Sequence, residues 1–98
     1  MASLSSLPNI GPAIERQLCA VGISTCEALR EVGSRAAWLR IQSIDVSACI
    51  HRLMALEGAV LGVKKAELPP ALKTELKEFY AAHRIGYDVR FSNQNGAA

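Results

Sequence analysis

The side chains able to do covalent, acid–base or metal chemistry are few, and their spacing assembles none of it. Cys19, Cys26 and Cys49 are odd in number and contain no C-x-x-C pair, so neither a disulfide framework nor a zinc knuckle is indicated. Each falls in an apolar stripe, where a free thiol in a reducing cytoplasm behaves as a small buried hydrophobe. His51 and His83 have no nucleophile or carboxylate at a recognisable spacing, and His51 reads as an exposed or capped side chain. Glu57 interrupts an apolar stretch and reads as a structural partner for Arg52, Arg16 or a free backbone N–H. No phosphate loop, dinucleotide fingerprint or metal-ligand cluster is present. No catalytic, cofactor or metal residue is therefore assigned. Charge chemistry remains: Lys64 and Lys65 are the only adjacent pair of Lys or Arg residues. With Lys73 and Lys77 they form a candidate basic patch, to be weighed against ordinary solvated surface.

The second candidate is a stretch of backbone, Leu7-Pro8-Asn9-Ile10-Gly11-Pro12 running on to Leu18. Asn9 tolerates a left-handed conformation and Gly11 adopts one freely, so the spacing predicts a sharp turn. Pro12 suits the first position of a helix. Ile10, Ile14 and Leu18 recur every fourth residue and give that helix one apolar face. The stretch resembles the second half of a helix-hairpin-helix, with Asn9 where the first glycine of that motif stands. The resemblance implies that backbone N–H groups near Asn9 and Gly11 bind a nucleic-acid phosphate without reading sequence, helped by Arg16.

The elements that must position these residues are helical. The 98 residues make one domain at most, half of them apolar and 20% charged, with a formal net charge of +2. That balance argues against a strong overall electrostatic footprint for nucleic acid or membrane. Residues 1–33 carry two positive and three negative charges, residues 34–62 three and two, and residues 63–98 six and four. The hairpin-like start is thus the least basic third. No basic region followed by an apolar run opens the chain, so no signal peptide is expected. Leu53 to Val63 is too short to span a bilayer.

In chain order, Met1 to Ser6 reads as a short polar extension, residues 7–86 as the helical domain and residues 87–98 as a flexible tail. Helix one is expected over Pro12–Ala20. A capping box of Ser24 and Glu27 opens a short helix to Val32, with Gly33 ending it. Ser34 caps a third helix, Arg35 to Gln42, whose Trp38 is expected buried with its N–H at a polar edge. Asp45 or Ser47 starts helix four, which runs to Leu61, is apolar on most sides and is therefore central. Gly62 ends it. Pro70 opens an amphipathic helix five through Leu72, Leu76 and Phe79, stopped near Gly86. Only Tyr87 to Phe91 has any strand-like alternation. The expected fold is all-α, a compact bundle of about five helices with a helix-hairpin-helix-like start.

Several spaced segments then agree with one family. Leu7-Pro8-Asn9-Ile10-Gly11, Val21-Gly22-Ile23, Leu29-Arg30-Glu31-Val32-Gly33 and Trp38-Leu39-Arg40 come in the order of the C-terminal domain of TfoX/Sxy proteins. Leu56-Glu57-Gly58-Ala59, Leu61-Gly62-Val63 and Leu68-Pro69-Pro70 with Leu72-Lys73-Thr74-Glu75-Leu76 complete the pattern. The resemblance covers roughly residues 5–82. It implies a non-enzymatic, cytoplasmic regulator of natural competence, with the cyclic-AMP receptor protein or other transcription machinery as partner. It is further expected to act through protein contacts and weak, sequence-independent contacts to duplex DNA. The alternative is a protein-interaction or self-association module similar to sterile-alpha-motif domains, with no nucleic-acid binding. An exposed apolar patch would favour that alternative.

Overall fold

Prolines and glycines set most helix ends. The computed structural model describes residues 3–84, and among them lie five α-helices, two single 3₁₀ turns and no strand. Helix α1 (Pro12–Ala20) starts on Pro12, whose missing N–H falls where no intrahelical acceptor exists. Helix α2 (Cys26–Val32) is capped by Thr25, whose hydroxyl accepts the Ala28 N–H at 3.0 Å. Thr25 displaces the expected Ser24 because it is the residue directly ahead of the helix in extended conformation. Gly33 (φ 85°, ψ 161°) joins α2 to α3 (Ser34–Ile44) without a loop. Ser34 is consequently the first residue of α3 and not its cap. It is buried, and its hydroxyl donates to Glu57 Oε1 at 2.5 Å. Glu57 therefore has a structural partner, and that partner is Ser34, not Arg52 or Arg16.

Helix α4 (Ile50–Leu61) begins later than expected. Asp45 and Ser47 are helix-capping residue types, but here Asp45 builds a turn of its own. Its carboxylate accepts from the Ser47 N–H at 3.0 Å and the Ser47 hydroxyl at 2.5 Å. It also accepts from Gln17 Nε2 of α1 at 2.8 Å and from the Arg52 guanidinium at 2.9 Å. These donors, the Ser47 hydroxyl first, hold the Asp45 carboxyl well below the usual carboxylate range. With Asp45 turned inward, its neighbours Ile44 and Val46 are turned out, 55% and 67% exposed. Val46 is therefore not part of the apolar surface of α4.

Gly62 ends α4 in the left-handed region (φ 81°, ψ 24°). The Lys65–Glu67 turn follows, and α5 (Pro70–His83) closes the described chain. Helix α4 packs on α3, on α5 and on the Lys65–Glu67 turn, which explains why it is apolar on most sides. Gln42 Nε2 donates to the His83 carbonyl at 3.0 Å and so ties the end of α5 to α3. The expected stop at Gly86, the 87–98 tail and the Tyr87–Phe91 alternation lie outside the described residues.

Leu18, Leu29, Ile41, Leu53, Leu56 and Leu76 surround the fully buried Trp38. The indole meets Phe79 and Tyr80 of α5 edge-on, at centroid distances of 6.2 and 5.5 Å. Its Nε1 finds no acceptor among the described residues, so the expected polar edge is absent. Leu4, in the segment read from the sequence as a polar extension, is 1% exposed and belongs to the core. Of the thiols, Cys26 is buried and Cys49 half-buried, whereas Cys19 is exposed. The Cys19 position on α1 thus faces away from the core stripe of Ile14 and Leu18.

Candidate nucleic-acid interface

The residues that the sequence groups into one candidate site divide into two structural roles. Asn9 is the only non-glycine residue with positive φ (69°) among the described residues. Its side chain points inward. Nδ2 donates to the carbonyls of Val63 at 3.0 Å and Ala55 at 3.3 Å, and Oδ1 accepts the Lys65 N–H at 3.0 Å. Asn9 therefore clamps the first loop onto the end of α4 and onto the lysine-bearing turn. It takes the place of a glycine at a left-handed position, which asparagine tolerates, and its amide adds the three bonds to the end of α4 and the lysine turn that a glycine cannot make.

The clamp explains a second residue. A Cβ on Gly58 would lie 2.5 Å from Asn9 Nδ2 and 2.6 Å from the Val63 carbonyl oxygen. No real side chain fits that space. Gly58 is thus the point at which the first loop crosses α4. The sequence shows Gly58 only as a small residue permitting close approach, and the structure shows what approaches.

Gly11 is extended (φ −93°, ψ −179°), not left-handed as expected; Asn9 makes the turn and Gly11 caps α1. No atom lies within 4 Å of a Cβ built on Gly11, so the backbone there is open to approach from outside. The N–H groups of Gly11, Ala13 and Ile14 have no acceptor among the described residues. Such groups at a helix start carry partial positive charge. Arg16 is exposed on the same helix and has neither hydrogen bond nor ion pair among the described residues.

The lysines lie elsewhere. Lys64 and Lys65 line a cleft of about 590 Å³ together with Pro8, Asn9 and Glu67. Lys65 also lines a second cleft of about 300 Å³, with His51, Met54, Lys73 and Lys77. The turn that carries Lys64 and Lys65 is held at both ends. Asn9 takes the Lys65 N–H, and the Glu67 carboxylate accepts the Lys64 N–H at 3.2 Å. Gly11 and Arg16 line neither cleft. The structure therefore brings Asn9, Lys64 and Lys65 together and leaves Gly11 and Arg16 at a separate position. Lys73 and Lys77 join the first group through the packing of α5 on α4. No group of three or more potential metal ligands occurs among the described residues. No described helix is long and apolar enough to cross a membrane.

A hairpin-like loop feeding a helix start that lacks a side-chain cap, clamped to a lysine-bearing turn, lies within an all-helical bundle. The chain belongs to the TfoX C-terminal domain family of competence regulators, whose profile matches residues 1–80. It is 38% identical over 76 residues to "Protein Sxy" of Escherichia coli (strain K12), a match over 78% of this chain and 36% of that protein. The chain thus spans about a third of the length of this curated relative. Two crystal forms of an uncharacterized protein from Listeria monocytogenes share the fold at 48% identity. The triclinic form superposes with a TM-score of 0.82 over 83% of this chain and 92% of that one. The tetragonal form gives 0.79 over 81% and 96%.

Proposed function

We propose that this chain is the non-enzymatic C-terminal module of a regulator of natural competence, acting in the cytoplasm on transcription. It works through contact with the cyclic-AMP receptor protein or associated transcription machinery, and through weak contacts to the DNA backbone that carry no sequence information. Family membership over residues 1–80 is the observation that carries the regulatory part. The open N–H groups at the start of α1 and the clustered lysines support the backbone contact. His51 lines a lysine cleft and His83 stacks on Phe79 at a centroid distance of 4.0 Å.

The test is a fluorescence-anisotropy titration of labelled promoter duplex, with and without the cyclic-AMP receptor protein. A micromolar affinity that weakens with salt, together with a further shift when both proteins are present, is expected. Absence of duplex binding at low salt and of any ternary shift refutes the proposal. A second reading, a self-association module, is favoured by one observation: Leu39, Ile44 and Val46 are exposed near the end of α3. A concentration-dependent dimer abolished by Ile44→Asp or Val46→Asp, without duplex binding, would establish that reading instead.

A further inference from the structure

The distribution of lysine is uneven in a way that the net charge conceals. The sequence contains four lysines, Lys64, Lys65, Lys73 and Lys77, and all four line the two clefts. Among the described residues no arginine lines either, and Glu67 is the only acidic residue in the linings, its carboxylate engaged by the Lys64 backbone N–H. A chain with a net charge of only +2 thus gathers four cations against one anion along the described linings. The clefts adjoin at Lys65 and Ala66, which line both.

We propose that the two clefts form one phosphodiester track that holds a nucleic-acid backbone by charge alone. This deepens, and rests on, the DNA-backbone contact proposed above, and it assigns that contact to the lysine face and not to Arg16 and the start of α1. Charge spacing favours a phosphodiester chain over an acidic peptide, because a nucleic-acid backbone carries a charge on every nucleotide and so meets four cations strung along adjoining clefts. Lysine is a point charge on a flexible stem and can meet phosphate from many directions. Among the described residues the linings carry no Phe, Tyr or Trp, and His51 is the one ring on which a base could stack, so contact falls chiefly on the backbone and is largely independent of sequence. The backbone of the central lysine is fixed by Asn9, so the track keeps one shape while its ammonium groups adjust.

The experiment is anisotropy on the full chain with labelled duplex and single-stranded DNA of the same sequence, and with polyglutamate as competitor. If each lysine meets one phosphate, the log–log salt slope for duplex is about −3 to −4. That slope weakens binding roughly a hundredfold between about 50 and 200 mM salt. Lys73→Gln with Lys77→Gln should halve the slope to about −2 while leaving the urea midpoint unchanged. Duplex and single strand share the ligand chemistry, and the tighter of the two identifies the natural source. If Arg16→Gln lowers the slope and the lysine pair does not, the track is wrong and the backbone contact belongs to α1. If neither DNA binds at low salt, the track and the DNA-backbone reading fall together. If polyglutamate displaces DNA as effectively, charge for charge, the occupant is an acidic protein and the track is overturned.

Discussion

Gly58→Ala is the most informative single change, because two physical effects predict opposite signs. Gly58 lies inside α4, where replacing glycine by alanine ordinarily stabilises a helix by about 1 kcal/mol. Here the new methyl would stand 2.5 Å from Asn9 Nδ2 and 2.6 Å from the Val63 carbonyl oxygen. Overpacking of this kind costs about 1–3 kcal/mol. Displacing the Asn9 amide adds the loss of hydrogen bonds to Val63, Ala55 and Lys65, each worth about 1 kcal/mol net. The expected balance is a loss of about 3–5 kcal/mol after the helix-propensity gain is subtracted. In an Asn9→Gly background the amide clash and its hydrogen bonds are already gone, while the left-handed turn is retained. Only the Val63 carbonyl then opposes the methyl, and the added cost of Gly58→Ala should fall by about 3 kcal/mol. Urea denaturation of the four proteins of this cycle, followed by circular dichroism, measures the coupling directly. A neutral or stabilising Gly58→Ala, or strictly additive single changes, would refute the clamp.

Three further outcomes follow from the core and the loops. Leu4→Ala should lose about 2–5 kcal/mol, the cost of a buried leucine; a change below about 0.5 kcal/mol by urea midpoint would show the first turn to be peripheral. Trp38→Phe should cost no more than about 1 kcal/mol, because the smaller ring leaves a cavity but removes an indole N–H that lacks an acceptor. A thermal-melting loss of about 3 kcal/mol or more would show that the N–H has a partner. Asp45→Asn should destabilise at neutral pH and do so less in acid. The folded-state pKa of Asp45 is depressed, so its contribution is fully present above the unfolded value of about 3.9 and lost as pH falls towards the folded value. Wild type and variant should therefore converge in stability as pH is lowered below about 4, and a constant gap between urea midpoints at pH 7 and pH 3 would contradict that account.

The all-α class, the five helices and the ends set by Pro12, Gly62 and Pro70 were legible because their signals are local. A proline that cannot donate, or a glycine free to take a left-handed turn, acts within its own few residues. The errors arose where a short polar side chain had a distant partner. Asp45 and Ser47 looked like caps for α4, but Asp45 bonds Gln17 and Arg52. Ser34 looked like a cap for α3, but reaches Glu57. Asn9 looked like a loop residue lending its backbone to a ligand, and its side chain instead joins three elements. In each case the competing partner is 7 to 56 residues away, beyond the reach of motif and periodicity. The four lysines are grouped as a candidate patch already in the sequence, but that they line two adjoining clefts depends on how α5 lies on α4.

The Asn9 clamp also imposes an order on folding. Its three hydrogen bonds close loops of 46, 54 and 56 residues, so the first loop of the chain acquires its partners only from its second half. Long closures are slow relative to helix formation. During synthesis the turn that introduces α1 lacks these partners until residue 65 is outside the ribosome. The N-terminal loop is therefore the first part to be made and among the last to be finished. A chain stopped short of Lys65 would lack the Lys65 N–H that completes its opening turn.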